Sequence, residues 1–429
     1  MTTTKNNEHK KLNFSSEREQ SQACLNSAEH EKNQGRKVLN VPNLRFPEFQ
    51  GEWEKQKLCD ISSIVGRIGF RGYTTNDIVE KGMGAIALSP TNIVNNQLTY
   101  DKDNTYISMS KYEESPEIMI KRGDVIFVKT GSTVGKVAYV DKMICKTTLN
   151  PQVVVLKEIK CDNYILSVIM STRKFQNKIQ RITVGGAVPT LSQMAMGNIF
   201  ISLPAAKEQE KISKFISLID ERIATQNKII DKLQSLIKGI VDCTILRKEK
   251  NAIVGDVCSI SEQIRAEANI DDIITVRLHG NGVCKSSAEN LQLGATQYYR
   301  RRAGQLIYGK QNFHNGAIGI VPISLDNGIT SKDIPSFDID EMKCNSVYLL
   351  AQLQSPQYYK PAEALTTGTG SKRLKEETFL KMPIVLPNKR EQDNIAVLIH
   401  RASMNLDYAK RLLELLSIQK QFLLRQMFI

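Results

Sequence analysis

The chain has 429 residues, and 58 lysines and arginines against 45 acidic residues give it a formal net charge of +13. The length predicts two or three domains, and 41% apolar with 24% charged residues is typical of globular proteins. So basic a composition favours a polyanionic partner. No run of about 18 apolar residues occurs, and the first twenty residues lack the apolar segment of a secretory signal. We therefore expect a cytoplasmic protein that does not engage a membrane.

The first part of the chain, residues 1–40, is rich in lysine, glutamate, glutamine, asparagine and serine. Such a segment buries too little apolar surface to offset its chain entropy, so we predict a disordered tail. The eight cysteines are scattered, with no CxxC pair, which predicts reduced thiols and no zinc site. They are Cys24, Cys59, Cys145, Cys161, Cys243, Cys258, Cys284 and Cys344.

A long-period internal repeat dominates the rest of the sequence. Gly123–Lys129 (GDVIFVK) matches Gly304–Lys310 (GQLIYGK), and Ile201–Pro204 (ISLP) matches Ile384–Pro387 (IVLP). A Glu-Gln pair follows each of the Leu-Pro ends at the same distance. A period of about 180 residues is too long for a solenoid unit and indicates two copies of a domain-sized module.

Each copy reads as short apolar strands with glycine, proline and asparagine turns, followed by a long helix. The fold class we predict is mixed α/β, with two globular domains joined by two long helices. The predicted boundaries are 41–205 for the first domain, 206–248 for the first helix, 249–388 for the second domain and 389–429 for the second helix.

Both predicted helices carry an apolar seam at alternating steps of four and three. In the first, the seam is Ile212, Ile216, Ile219, Ile223, Gln226, Ile230, Leu233, Ile237 and Ile240. In the second, it is Ile395, Ile399, Ala402, Leu406, Ala409, Leu413, Leu416, Lys420 and Leu423. A seam of about four heptads favours a coiled coil over a helix lying on a globular core. At ~1.5 Å per residue, its length is ~54 Å.

Motifs for catalysis are missing from the sequence. Without a Pro-Pro dipeptide, the Asn/Asp-Pro-Pro-aromatic motif that holds a target amine for methylation cannot occur, and neither GxGxxG nor HExxH is present. The segment Gly131–Val137 imitates a phosphate loop, but it has three residues between its glycines and valine after its lysine. Nucleotide binding is therefore not expected.

The turns that follow the matched strands are candidate DNA-contacting loops. The first presents Lys129, Thr130, Ser132, Thr133 and Lys136, and the second presents Lys310, Gln311, Asn312, Phe313, His314 and Asn315. Hydroxyls and lysines suit phosphate and base-edge contacts, and amides can read adenine edges. A shared frame with different tips suggests one module tuned to two targets, although ordinary solvated turns are the simpler alternative.

A second pair of loops, 183–190 and 366–373, precedes the last strand of each copy. Glycine permits close approach to a nucleic-acid backbone, and basic residues add charge. The candidates here are Gly185, Gly186, Thr190, Thr369, Lys372 and Arg373. Two separate basic clusters add further candidates: Arg300 and Arg301 within residues 298–302, and a looser cluster at Arg67, Arg71 and Tyr73. Flexible hairpin tips and solvated charge runs are the alternatives, and a buried strand is a third for the cluster at 298–302.

The whole plan resembles the specificity (S) subunit of type I restriction–modification systems. The resembling segments are Leu44–Trp53, the strand and turn Gly123–Lys136, and the two junctions into long helices, and the likeness extends over about residues 41–429. It implies two target-recognition domains that each read half of a split double-stranded DNA site, with an antiparallel coiled coil as spacer and docking surface.

The same resemblance implies the partners. Modification (methyltransferase) subunits, expected to number two, would methylate adenine at N6, and restriction/translocase subunits would join through them. S-adenosylmethionine, ATP and Mg²⁺ would be bound by those partners and not by this chain. Two alternatives stay open at this point: a free-standing adenine DNA methyltransferase or nuclease with degenerate motifs, and a coiled-coil scaffold that binds proteins.

Overall fold

The computed structural model describes residues 39–100, 103–286, 296–368 and 372–429. All but the last two positions of the predicted tail 1–40 therefore lie outside the described residues. The chain divides into two compact units: unit 1 contains the chain up to Ile219 together with Gln419–Ile429, and unit 2 contains Asp220–Ile418. Within the described ranges, no helix is both long and apolar enough to cross a membrane.

Unit 1 is a mixed α/β domain. Its strands are β1 (Glu54–Lys57), β2 (Ser63–Gly66), β3 (Ile78–Val79), β4 (Ala85–Leu88), β5 (Ile93–Val94), β6 (Gln97–Leu98), β7 (Thr105–Ile107), β8 (Val125–Val128), β9 (Val137–Tyr139), β10 (Thr147–Leu149), β11 (Val153–Lys157) and β12 (Phe200–Leu203). Its helices are α1 (Leu58–Ile61), α2 (Met109–Glu113), α3 (Asn163–Ser171), α4 (Arg173–Ile182), α5 (Gln193–Gly197) and the start of α6 (Ala206–Val241). One sheet has the order β2-β11-β8-β9-β6-β5, another has the order β10-β4-β7-β3, and β1 pairs with β12.

The central strand β8 shows why the main sheet is buried on both faces. All four of its residues, Val-Ile-Phe-Val, are buried. Val125 and Phe127 pack into one apolar cluster, whereas Ile126 and Val128 pack into another. Because successive side chains of a strand point to opposite faces, a continuous apolar run fits a strand that is covered on both sides.

Unit 2 is also mixed α/β. Its strands are β13 (Ala252–Ile253), β14 (Cys258–Ile260), β15 (Arg265–Ala266), β16 (Ile274–Val276), β17 (Val283–Lys285), β18 (Tyr298–Arg300), β19 (Leu306–Tyr308), β20 (Ile318–Ile320), β21 (Ile329–Ser331), β22 (Ser336–Ile339) and β23 (Pro383–Ile384). Its helices are α7 (Ser346–Leu353), α8 (Pro356–Tyr359), α9 (Glu376–Leu380) and the start of α10 (Lys389–Met427). Its sheets have the orders β14-β22-β19-β20, β15-β18-β21, β16-β17 and β13-β23.

Each long helix begins with the same hydrogen bonds inside its own unit. The Gln209 Nε2 donates to a proline carbonyl five residues earlier at 2.8 Å, and its Oε1 accepts from the Asp162 backbone N–H at 2.8 Å. Gln392 does the same in unit 2, at 2.8 Å to the proline and 2.9 Å from the Asn345 N–H. Asp162 and Asn345 are themselves N-caps of α3 and α7. The glutamine therefore fixes the long helix to the capped end of a core helix.

The glutamate next to each glutamine is ion-paired. Glu208 is fully buried and pairs with Arg45 at 2.7 Å, which raises the pKa of the arginine, and it also accepts from Nε1 of Trp53 at 3.4 Å. Glu391 pairs with Lys248 at a more exposed position. A buried carboxylate needs such partners because its desolvation is costly.

The C-terminal end of α10 completes the core of unit 1. Leu423 and Phe428 are buried in the same apolar cluster as Trp53, and the rings of Trp53 and Phe428 meet edge to face at 6.1 Å. The Leu44 backbone N–H donates to the Gln426 carbonyl at 2.9 Å. The last residues of the chain are therefore structural parts of the domain that begins it.

In unit 2, the C-terminal end of α6 packs into the apolar core, as the end of α10 does in unit 1. After Val241 the helix continues as a π-turn over Asp242–Leu246, and Val241 and Ile245 are buried in the main apolar cluster together with Ile395 and Ile399.

The predicted heptad residues form the least exposed face of both long helices. Gln226 and Lys420, the two polar positions, are buried and half-buried respectively. The other seam residues are all buried or half-buried: Ile212, Ile216, Ile219, Ile223, Ile230, Leu233, Ile237, Ile240, Ile395, Ile399, Ala402, Leu406, Ala409, Leu413, Leu416 and Leu423.

Candidate nucleic-acid interface

The predicted loop tip of unit 1 is the turn that joins β8 to β9. Gly131 and Gly135 adopt φ values of +102° and +99°, a region in which a side chain would be strained. A Cβ at Gly135 would also collide with Gln176 of α4, whose Nε2 donates to the Gly135 carbonyl at 2.8 Å. The helix α4 thus holds the turn in one shape.

The side chains of this turn are partly available to solvent. Ser132 is exposed, and the other four candidates, Lys129, Thr130, Thr133 and Lys136, are half-buried. The Nζ of Lys136 donates to the Ile93 carbonyl at 3.3 Å, which orients that lysine along the sheet.

The structure joins the two predicted loops of unit 1. The Gly131 N–H donates to the Pro189 carbonyl at 2.9 Å, and the Leu191 N–H donates to the Lys129 carbonyl at 2.8 Å. The turn and the hairpin 183–190 therefore form one continuous surface, although they are some fifty residues apart in the sequence.

The hairpin itself presents an exposed glycine tip. Gly185, with φ +99°, and Gly186 are exposed, whereas Thr190 is half-buried at the base. Thr190 forms isolated β-bridges with Thr130 and Val184.

The loop tip of unit 2 joins β19 to β20 and presents amides. Gln311 and Asn312 are exposed, and His314 and Asn315 are half-buried. The Nδ2 of Asn315 donates to Oδ1 of Asn312 at 3.2 Å.

Phe313, predicted to face DNA, is instead fully buried. The centroid of its ring lies 5.3 Å from that of Tyr308 and 5.6 Å from that of Phe379, and both pairs meet edge to face. Burial of this ring stabilises the folded chain more than its exposure to solvent would, and it anchors the turn to the core. Gly316 closes the turn at φ +76°, where a Cβ would lie 2.9 Å from the ring of Tyr359.

Cations of the unit 2 loops are paired with carboxylates. The Nζ of Lys310 lies 2.6 Å from Glu376, and the Lys372 Nζ lies 3.4 Å from Glu363. The Leu374 N–H donates to the Lys310 carbonyl at 2.9 Å, which is the bond that Leu191 makes in unit 1. Turn and hairpin are thus joined in unit 2 as well.

The hairpin of unit 2 closes through backbone hydrogen bonds of 3.0 and 2.9 Å between Thr367 and Arg373. Arg373 is half-exposed, and its guanidinium lies 3.4 Å from the carboxylate of Asp333. The predicted contact residue Thr369 lies outside the described residues.

Arg301 is also not a surface residue, contrary to the prediction. It is fully buried, and its guanidinium donates to Oγ1 of Thr330 at 2.7 Å and to the Ile334 carbonyl at 2.9 Å. A third bond, of 3.0 Å, reaches Oγ of Ser336. Burial lowers the pKa of Arg301 to about 10. Its neighbour Arg300 is exposed, because alternate residues of a strand face opposite sides.

In the looser basic cluster of unit 1, one of the two arginines is likewise buried. Arg67 is buried, donates to the Leu149 carbonyl at 2.9 Å and to Oγ1 of Thr148 at 3.1 Å, and has its pKa lowered by burial. Arg71 and Tyr73 are half-buried beside it.

The carboxylates at the unit 2 surface were not found by sequence reasoning, which considered cations alone. Asp333 meets Arg373 across forty positions of sequence, and no local pattern signals that contact. Among the described residues, no group of histidine, cysteine, aspartate and glutamate could hold a metal ion. Burial raises the pKa of Cys258 and Cys344 to about 12, so these thiols are protonated packing groups.

Comparisons with known proteins place this fold. Residues 50–235 match the family described as the type I restriction modification DNA specificity domain. The MjaVIII specificity subunit of a type I restriction enzyme from Methanocaldococcus jannaschii is 21% identical over 310 residues, which cover 65% of this chain and 72% of the relative. The crystal structure of the type I restriction–modification S subunit from M. genitalium shares the fold at 12% identity, with a TM-score of 0.60 over 91% of this chain and 99% of that one. Residues 50–235 thus match a DNA specificity domain, and over most of its length the chain is similar to type I restriction–modification specificity subunits.

Proposed function

We propose that each unit reads one half of a bipartite DNA target through the turn and hairpin that meet at its loop-tip lysine. One observation carries the proposal. The carbonyls of Lys129 and Lys310 accept equivalent bonds from Leu191 and Leu374, yet the side chains around the two lysines differ. A common frame places the reading groups, and different reading groups select different bases.

The division of labour follows from the side chains. Hydroxyls and lysines at the unit 1 tip suit phosphate contacts, which position the protein, and base-edge contacts, which carry the sequence information. The exposed amides Gln311 and Asn312 of unit 2 suit adenine edges in the major groove. Residues 41–205 and 249–388 would then be the two target-recognition domains.

We also propose a pseudo-two-fold internal repeat. The strand order β2-β11-β8-β9 of unit 1 has the counterpart β14-β22-β19-β20 in unit 2, and β1-β12 has the counterpart β13-β23. The helix-start bonds of Gln209 and Gln392 repeat as well. These correspondences support duplication of one module with its long helix.

The heptad faces support an antiparallel coiled coil as the spacer. In unit 1, Ile212 shares a cluster with Leu423. In unit 2, Gln226 contacts Ala409, and Val241 shares a cluster with Ile395. Within unit 2, residues closer to the C-terminus of α6 contact residues closer to the N-terminus of α10, which is the pattern of antiparallel helices.

An exposed apolar stripe on α10 supports docking of the methyltransferase subunits. Val397, Met404, Tyr408 and Leu415 are 48%, 60%, 71% and 63% exposed. Steps of seven, four and seven place them on one line of the helix, on the face opposite the heptad seam. Such a stripe on a surface helix marks an interaction site.

A charge placed in the stripe tests the docking proposal. Tyr408→Glu should weaken binding to the methyltransferase subunits by about tenfold or more, because an aromatic anchor is lost. Asn405→Glu introduces the same charge at an exposed position roughly a quarter turn away and should change the affinity by less than about threefold. Equal effects of the two variants, measured by calorimetry, would contradict docking at the stripe.

We propose that this chain is non-catalytic and that methyl transfer belongs to its partners. We propose two methyltransferase subunits per chain, with restriction/translocase subunits joining through them. S-adenosylmethionine, ATP and Mg²⁺ would be bound there.

The length of the spacer gives the test of bipartite reading. A heptad inserted in both long helices, within 220–240 and 397–418, should change the number of unread base pairs and leave both half-sites unchanged. Half-sites that change while the gap stays constant would overturn the proposal. A chain whose duplex binding, with methyltransferase present, is absent even at low salt would instead be a protein-binding scaffold.

A further inference from the structure

A third turn in each unit has the same construction. In unit 1, the turn between β10 and β11 is closed by the Val153 N–H donating to the Asn150 carbonyl at 3.0 Å, and Oδ1 of Asn150 accepts from the Gln152 N–H at 2.8 Å. Polar side chains that bond their own backbone two residues on stabilise such turns.

In unit 2, the turn between β21 and β22 is built in the same way. The Ile334 N–H donates to the Ser331 carbonyl at 3.1 Å, and Oγ of Ser331 accepts from the Asp333 N–H at 3.3 Å. Gln152 and Asp333 therefore occupy equivalent positions.

Both third turns meet the loop-tip lysine. The Lys129 N–H donates to the Gln152 carbonyl at 2.9 Å, and the Lys310 N–H donates to the Asp333 carbonyl at 2.9 Å. The lysine carbonyl accepts from the leucine that directly follows the hairpin, so one lysine backbone links three loops in each unit. This places Gln152 and Asp333 beside the turn and hairpin that form the candidate interface.

The side chains at these positions differ in chemistry. Gln152 is exposed, and a Cβ built on Gly131 would lie 3.5 Å from its Nε2. The Asp333 side chain is 47% exposed and lies 3.4 Å from Arg373. A carboxylate beside DNA repels phosphates and lowers the overall affinity for DNA. Its presence therefore favours a role in discriminating between bases.

The Asp333 turn is held from beneath by the buried Arg301. The arginine bonds Thr330 before the turn and Ile334 at its end. A side chain that must meet one base edge needs such a rigid base, because loose groups do not discriminate.

We propose that Gln152 and Asp333 are specificity-determining residues, one for each half-site. The amide of Gln152 pairs with the N6 and N7 edge of adenine, and the carboxylate of Asp333 accepts from the N4 amine of cytosine. This inference rests on the proposed function and extends it to a third loop in each unit.

The test compares methylated target sequences in cells that carry the full chain with its methyltransferase subunits. Asp333→Asn should relax or change one base position in a single half-site, and Gln152→Ala should do so in the other half-site, by about tenfold or more in the ratio of methylated sites. The gap should stay constant in both. Glu341→Gln, which removes an exposed charge beyond the far end of β22, should leave the target unchanged.

The outcomes separate the two proposals. Wild-type cells without a chain-dependent bipartite target would overturn the proposed function. A bipartite target that neither variant alters, at normal methylation levels, would overturn only the roles of Gln152 and Asp333. The same base change from both variants would also overturn them, because each belongs to a different unit. Loss of all methylation in Asp333→Asn would be resolved by Asp333→Glu, which keeps the carboxylate and should restore the wild-type target.

Discussion

Gln226 donates a buried hydrogen bond of 3.0 Å from its Nε2 to the backbone carbonyl of Ala409. The two residues lie on the heptad seams of α6 and α10, and both belong to unit 2. One polar residue in an apolar seam fixes register at some cost in stability.

We expect Gln226→Ala to lower the free energy of unfolding by about 1–3 kcal/mol, through the lost bond and the cavity. Gln226→Leu should be as stable as the wild type, because leucine fills the volume and Ala409 lies inside a helix whose carbonyls are already bonded. Urea unfolding followed by helical circular dichroism measures both. An alanine variant as stable as the wild type would argue against a packed seam.

Glycine at 316 is required by both backbone and packing. Gly316→Ala strains φ +76° and brings Cβ to 2.9 Å from the ring of Tyr359, whereas Gly282→Ala has the similar φ of +74° with nothing within 4 Å. Both variants should lose about 1 kcal/mol for the backbone, and Gly316→Ala should lose about 1–2 kcal/mol more for the clash. Thermal denaturation distinguishes them, and equal melting temperatures would contradict the contact with Tyr359.

Replacing the adjacent residues Arg300 and Arg301 should affect stability very differently. Arg301→Ala removes four side-chain hydrogen bonds and leaves a cavity, so we expect a loss of about 2–4 kcal/mol. Arg300→Ala should change stability by less than about 0.5 kcal/mol, because the side chain is exposed. If Arg300 contacts phosphate, its variant should weaken DNA binding uniformly across sequences. A destabilised Arg300→Ala with a stable Arg301→Ala would reverse this assignment.

Salt dependence should reveal which lysines meet phosphate. Lys129→Ala should reduce the slope of log affinity against log salt by about 1, because one phosphate contact is lost. Lys121 lies at the other end of β8 and is exposed, so Lys121→Ala should leave the slope unchanged. The titration is done with the assembled complex on cognate duplex, and equal slopes for the wild type and Lys129→Ala would remove Lys129 from the interface.

The long-range organisation was accessible from the sequence because it depends on periodic patterns. The heptads predicted long helices at 206–248 and 389–429, and the structure has α6 at Ala206–Val241 and α10 at Lys389–Met427, with the seam residues on their least exposed faces. Short strands were predicted from apolar runs, and the structure has one of them at Val125–Val128, where it is buried. These features depend on spacing along the chain, which a sequence displays directly.

The details of the interface were less accessible because they depend on contacts between distant segments. Phe313 and Arg301 read as surface groups beside polar neighbours, but a neighbouring ring and a turn thirty residues away bury them. The packing of Phe428 against Trp53 has no local signature either. Alternation along a short strand, as for Arg300 and Arg301, is visible only once the buried face is known.

The reading of two half-sites by two units is tested most directly by mapping methylated adenines across the genome in cells with and without this chain. We predict methylation at one bipartite sequence, with two specific halves and a gap of constant length, that appears only when the chain is present. An unchanged methylation pattern, or a chain-dependent target that is continuous and lacks a gap, would contradict it.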